Sequence, residues 1–182
     1  VLIEEKVDGS QFSFGILDGE LQCRSKGKQL ILDAPEKMFT QAVEVVKELQ
    51  PNLMPNWAYR SEYLASPKHN TIKYNRIPNQ HLILYDVNTG LEEYLPYDSL
   101  VAEGERLGLE VVPRFFEGVI SDFTQFKELL ERESILGGSK VEGFVVKRYD
   151  LFTQEKKVAM GKYVREDFKE ENAKDFRARN PT

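Results

Sequence analysis

One cysteine, Cys23, stands in a chain of 182 residues, which excludes an intramolecular disulfide and gives no support to a thiolate metal site. A reducing intracellular setting is the simplest expectation, with Cys23 as a small strand residue. Histidine is as scarce: His69 and His81 are the two present, and they are not spaced as metal ligands. No apolar run approaches the ~20 residues needed to span a bilayer, and no signal peptide is recognisable. A basic excess is missing too. The net charge of −5 and pI near 5.3 argue against a protein that coats nucleic acid, yet leave room for a local basic cleft. There is no repeat and no low-complexity tract. The sequence starts at Val1 without an initiator methionine and reaches Lys6 almost at once, which suggests an excised or processed fragment.

What is there suffices for one sizeable domain: 41% hydrophobic and 11% aromatic residues over this length can build a single core. Residues 1–33 read as a meander of short strands broken at Asp8-Gly9, Asp18-Gly19 and Gly27-Lys28, with Phe12, Phe14 and Ile16 alternating. Met38, Ala42, Val45, Val46 and Leu49 then fall on one face of a helix that Pro51 would stop. Strands are expected at Trp57–Leu64 and His81–Val87, separated by the polar stretch Ser66–Asn79, too long for a hairpin turn and therefore a candidate functional loop. Helices are expected at Tyr97–Leu107 and at Ser121–Glu133, the latter with Ser121 as N-cap. Leu109–Pro113, Val141–Arg148 and Lys157–Val164 read as strands, and Arg165–Thr182 as a charged, solvated helix or the start of a linker. The class is α+β, with mostly antiparallel sheets and flanking helices.

Glu4-Glu5-Lys6-Val7-Asp8-Gly9-Ser10 is the most informative run. The apolar residues ahead of Lys6 and the turn signal behind it place the lysine at a strand end, where its amine can meet a phosphorus atom. By itself the run also fits an ordinary hairpin with a solvated lysine. Other blocks give it company: Arg24-Ser25-Lys26-Gly27-Lys28, Arg60-Ser61-Glu62-Tyr63-Leu64, Tyr85-Asp86, Glu142-Gly143 leading to Lys147, and Met160-Gly161-Lys162. Each block alone fits an ordinary strand with charged ends.

Taken in order, these blocks resemble the covalent nucleotidyltransferases, the superfamily of ATP-dependent ligases and mRNA capping enzymes. Lys6-Val7-Asp8-Gly9 resembles the nucleophile motif KxDG. Glu62 matches the third motif, Tyr85-Asp86 the aromatic-acid pair after it, Glu142-Gly143 with Lys147 the fourth, and Lys162 the fifth. Within the superfamily the text is most similar to RNA ligases that seal nicks in duplex RNA and to their phage relatives, through Arg60–Leu64 followed by Pro67-Lys68-His69-Asn70-Thr71. The compartment implied is cytoplasmic, or that of a phage-infected cell.

The resemblance implies the ligase/capping-enzyme nucleotidyltransferase fold, ATP as cofactor and Mg²⁺ or Mn²⁺ as metal. It implies that Lys6 attacks the α-phosphate of ATP to give lysyl-AMP. AMP then passes to a 5′-phosphate end, and a 3′-hydroxyl closes the strand. Free lysine has a pKa near ~10.4, so nearby cations such as Lys147, Lys162 and the metal are needed to favour the neutral amine. The implied catalytic residues are Lys6, Asp8, Glu142 and Lys162, with Asp8 orienting Lys6 or metal-bound water. Glu142 and Glu62 are the metal candidates, Glu62 alternatively serving the ribose hydroxyls. The nucleotide contacts are Glu5, Lys6, Arg24 or Lys26, Glu62, Tyr85 stacking on the purine, Lys147 and Lys162. His69 is a candidate contact for nucleic acid. One departure stands out: the fifth motif often carries two lysines one residue apart, and Met160 fills the first place. Either Lys157 compensates from a shifted register or one phosphate contact is absent.

A DNA ligase core, a GTP-using capping enzyme and a non-catalytic nucleotide-binding module remain alternatives, because no short motif encodes the choice of RNA. Residues 1–164 are expected to form the adenylylation domain and 165–182 a charged tail. That tail is too short for an oligonucleotide-binding barrel of ~100 residues, so a C-terminal substrate-binding domain is expected to be missing, with self-adenylylation efficient and end joining poor.

Overall fold

The computed structural model describes residues 1–179 and divides into two compact units. One comprises Val1–Asp8, Pro67–Arg76 and the chain from Val112 onward; the other comprises Gly9–Ser66 and Ile77–Val111.

The first unit is built on β1 (Leu2–Lys6), β9 (Arg114–Glu117), β10 (Gly143–Phe152) and β11 (Val158–Val164), antiparallel in the order β11-β10-β1-β9. Lys6 lies opposite Gly143, Glu4 opposite Val145 and Leu2 opposite Lys147, while Val145 faces Lys162 across the next pair. Strand alternation therefore puts Leu2, Glu4 and Lys6 on one face with Lys147 and Lys162. Ile3, Glu5, Phe144 and Tyr163 take the other. That second face is the apolar one. Ile3 and Phe144 are buried there with Leu129, and the Phe144 ring stacks between Phe126 at 5.4 Å and Tyr163 at 5.5 Å. Phe126 and Leu129 come from α3 (Phe123–Leu129), and the last helix, α4 (Glu166–Arg179), follows β11.

The second unit carries β2 (Ser10–Leu17), β3 (Glu20–Ser25), β4 (Lys28–Gln29), β5 (Ala58–Tyr63), β6 (Leu82–Gly90) and β7 (Glu93–Tyr94), in the order β4-β3-β2-β5-β6-β7. β8 (Glu110–Val111) adds a parallel pairing to β6. Phe12, Phe14, Tyr59, Tyr63, Leu82 and Leu84 point to one side of this sheet and pack with residues of α1 (Thr40–Leu49) and α2 (Tyr97–Leu107). On the other side the register sets Gln11 opposite Glu62, and Ser13 opposite both Arg60 and Arg24. This face is polar.

Several expectations are corrected. The first strand does not belong to the opening meander: only β2, β3 and β4 form one, and β1 pairs with β9 and β10, because the chain leaves its sheet at Val7-Asp8-Gly9. In the α1 region Phe39, Ala42, Val43, Val46 and Leu49 are buried, whereas Met38 is 47% exposed. A tight turn at Lys37–Phe39 precedes the helix and swings Phe39 inward in place of Met38. The α3 N-cap is Asp122, whose side chain accepts from the Thr124 amide at 2.9 Å, not Ser121. That helix stops at Leu129 because the chain is soon committed to a turn, with Glu133 bridging Lys140 and the Ser134 amide donating to the Ser139 carbonyl at 2.9 Å. In the 109–113 stretch only Glu110–Val111 pairs, and β9 was not foreseen: Phe115-Phe116 between Arg114 and Glu117 is too short to show a period. The strand expected at Val141 begins at Gly143 and runs on to Phe152.

Gly143 is required by space. A Cβ there would lie 2.0 Å from the Tyr163 carbonyl oxygen, a backbone atom that can yield only by parting β10 from β11. Gly143→Ala is expected to cost at least about 2 kcal/mol, lowering Tm by about 4 °C or more in a thermal melt.

Candidate active site

Lys6 is the last residue of β1, and Glu142 immediately precedes β10. The register that sets Lys6 against Gly143 brings the two side chains together: Lys6 Nζ donates to Glu142 Oε1 at 2.7 Å, with the lysine side chain 25% exposed and the glutamate 6%. Burial pushes the Glu142 carboxyl up to about 7. Lys6 and Lys162 pull against that rise, and Asp8 adds to it. The second oxygen, Oε2, is buried with no hydrogen-bond partner among the described residues.

Asp8, two residues past Lys6, is buried and clamped by the loop at 66–79. Its Oδ2 accepts from the Ile72 amide at 2.9 Å, its Oδ1 from Asn70 Nδ2 at 3.3 Å, and its own amide donates to the Tyr74 hydroxyl at 2.9 Å. Burial drives the Tyr74 hydroxyl well above its usual value, with the charges of Asp8, Glu5 and Glu142 raising it further. His69, in the same loop, has its pKa lowered by burial against the opposing pull of Asp8. Lys162 stands on β11 on the Lys6 face, exposed and without an ion-pair partner among the described residues. Lys6, Glu142 and Lys162 share a pocket of about 550 Å³ with residues of α4.

Two expected contacts are placed elsewhere in this unit. Glu5 points to the opposite face from Lys6, and its carboxylate accepts from Ser134 Oγ at 2.5 Å and from the Ile135 amide at 3.0 Å. Lys147 is four residues along β10 from the Lys6 pairing and forms an ion pair with Glu4 at 2.5 Å, both side chains 1% exposed. Lys157 does not stand in for Met160. The β10–β11 register runs without a shift from Gly143 to Arg148, and β11 begins only at Val158. Met160 lies opposite Lys147, on the Lys162 face.

In the second unit, Glu62 and Arg60 project from β5 on the polar face of the sheet, Arg60 donating to Asn88 Oδ1 at 2.6 Å. Tyr85 sits on β6 close to both. Burial and the Glu62 charge raise its hydroxyl pKa, Arg60 opposing. Arg24 reaches the same face opposite Ser13, whereas Lys26 occupies the exposed turn between β3 and β4. The contacts that sequence reading missed are those of Asn70, Ile72 and Tyr74 with Asp8 and of Ser134 with Glu5. For the first three the signals were the length of the 66–79 loop and the block Pro67–Thr71; Ser134 had none.

Two mostly antiparallel sheets with flanking helices, and a strand-end lysine held against a carboxylate, match the nucleotidyltransferase-like fold of RNA ligases. The chain belongs to the RNA ligase family, which matches residues 1–164. Among solved structures it is similar to a lysine-to-alanine mutant of a Naegleria gruberi RNA ligase with ATP and Mn, at 17% identity and a TM-score of 0.72 over 94% of this chain and 51% of that one. The same RNA ligase with PPi gives 17% identity and a TM-score of 0.71 over 95% and 51%. A lysine-to-methionine mutant with AMP and Mn gives 17% and 0.69 over 94% and 51%. The chain thus spans about half the length of these proteins. No curated protein matches its sequence.

The Asp8 clamp is testable by removing one atom. Tyr74→Phe leaves the buried Asp8 amide unpaired, which is expected to cost about 1–3 kcal/mol in urea unfolding.

Proposed function

We propose that the chain carries the adenylylation chemistry of an ATP-dependent RNA ligase. The observation that carries this reading is the 2.7 Å contact of Lys6 Nζ with the Glu142 carboxylate, whose pKa burial pushes up to about 7. A lysine amine must lose a proton before it attacks phosphorus, and Glu142 is within transfer distance and basic enough at neutral pH to take it. The neutral amine then displaces pyrophosphate from the α-phosphate of ATP, forming the N–P bond of lysyl-AMP as the P–O bond to the leaving group breaks. Lys162, on the same face, stabilises negative charge on the phosphates. AMP next passes to the 5′-phosphate of a strand end, and a 3′-hydroxyl displaces it to seal the strand, with nicked duplex RNA as the preferred substrate.

A divalent cation fits the residues present. Glu142 Oε2 is a buried oxygen in need of a partner, and no group of three or more acidic, histidine or cysteine ligands occurs among the described residues. That suits Mg²⁺ or Mn²⁺ held by one carboxylate and retaining water. Bound there, the metal would act as a Lewis acid on phosphate oxygens. Asp8, fixed by its loop, would serve as an acceptor for metal-bound water. In the second unit Tyr85 is assigned to the purine and Glu62 to the ribose hydroxyls. Arg24 is assigned to phosphate or ribose in preference to Lys26, because it shares the polar face with Arg60 and Glu62.

The test is retention of label after denaturation, following incubation with Mg²⁺ and each α-labelled nucleoside triphosphate. ATP is expected to label the wild type and not Lys6→Ala. Labelling by GTP would favour a capping activity, and no label from any nucleotide would defeat the reading. Nicked RNA and nicked DNA substrates then separate an RNA from a DNA ligase. Glu142→Gln is expected to lower the rate of labelling by ATP by about 100-fold or more.

A further inference from the structure

α4 lies beyond residues 1–164, the span of the family match, yet it lines the pocket of the nucleophile. Phe168, Asn172 and Phe176 form one row at i, i+4 spacing and Lys169, Ala173 and Arg177 the adjacent row, and all six border the same space as Lys6, Glu142 and Lys162. The helix is tied down at two points. The Arg165 amide donates to the Glu142 carbonyl at 3.0 Å, and Thr71 Oγ1 donates to Asn172 Oδ1 at 3.1 Å. It covers no core: none of its residues is buried, and Phe176 is 66% exposed.

Charge and shape say what such a face suits. Four cations line the pocket (Lys6, Lys162, Lys169 and Arg177) against one carboxylate, Glu142, in a chain whose net charge is −5. Lys6 is engaged by Glu142 and Lys169 by Glu166, each at 2.7 Å. Lys162 and Arg177 have no ion-pair partner among the described residues. A cationic row beside an exposed aromatic row matches a phosphate attached to a base. Free pyrophosphate would use the cations and leave Phe176 idle.

We propose that the α4 face of this pocket binds the 5′-phosphorylated terminal nucleotide of a polynucleotide, with Arg177 and Lys162 on the phosphate and Phe176 stacked on the base. This deepens the ligase reading above and rests on its polynucleotide substrate. It places the 5′-phosphate beside the amine that would carry AMP, where transfer needs it.

The experiment is fluorescence anisotropy of the whole chain, without ATP, against one short labelled RNA bearing either a 5′-phosphate or a 5′-hydroxyl. The phosphate is expected to tighten binding about tenfold. Arg177→Ala should erase that advantage and Arg177→Lys keep most of it, while Phe176→Ala weakens both probes about tenfold. Both side chains are exposed, so these variants leave the fold intact. Equal affinity for the two ends, or an advantage that survives Arg177→Ala, overturns the proposal. Competition by pyrophosphate without any preference for the 5′-phosphate also overturns it, and assigns the pocket to the leaving group. Since the assay needs no nucleotide, a chain that discriminates ends but never labels at Lys6 fails only the ligase reading. One that labels but ignores the 5′-phosphate fails only this inference.

Discussion

The register of β1 against β10 is the constraint from which the site follows. Strand side chains alternate, so a slip of one residue would send Lys6 to the apolar face and Ile3 to the polar one. The slip is opposed on both faces at once. Ile3 and Phe144 are sealed into the aromatic stack with Phe126 and Tyr163, and Gly143 leaves no room for any side chain against Tyr163. With the register locked, Lys6 and Glu142 meet without a loop having to place either one.

Two lysine–glutamate pairs share the polar face of that sheet, and burial gives them different work. Glu4 and Lys147 are sealed, each 1% exposed, so neither charge can be given up without leaving the other stranded in a medium of low dielectric. Lys6 and Glu142 are uneven, 25% and 6% exposed. The glutamate is poised near neutrality while the lysine remains reachable. The first pair secures the strands, and the second is the one open to a ligand. Lys147 has the residue type of a phosphate contact, yet it lies deep in the sheet against Glu4.

The order of strands and helices was largely legible in the sequence, because alternation and helical spacing are local signals. α2 and β5 were visible in Tyr97–Leu107 and Trp57–Leu64. Partnership was less so: nothing in Val1–Ile3 says that its neighbours are β9 and β10 rather than the adjacent β2. In the site, Lys6 could be found as a charged residue at a strand end, and Asp8, Glu142 and Lys162 through blocks that resemble the motifs of the covalent nucleotidyltransferases. The clamp on Asp8 could not, since it is made by the Ile72 amide, the Asn70 side chain and the Tyr74 hydroxyl on a loop without periodicity. The direction of the Glu5 side chain, toward Ser134 and Ile135, was hidden for a related reason. Adjacency to Lys6 in sequence is opposition in a strand.

The first unit is assembled from three separated stretches of chain, and this sets an order in time. β1 emerges during synthesis well before β9 and β10, and has no partner until they are made. At roughly 5–20 residues per second, it waits several seconds. The second unit can close earlier, since its strands from Ser10 to Val111 pair among themselves. Lys6 is therefore made long before the carboxylate that pairs with it. A nascent chain holds a bare surface lysine, and its contact with Glu142 arrives only when β9, β10 and β11 complete the sheet.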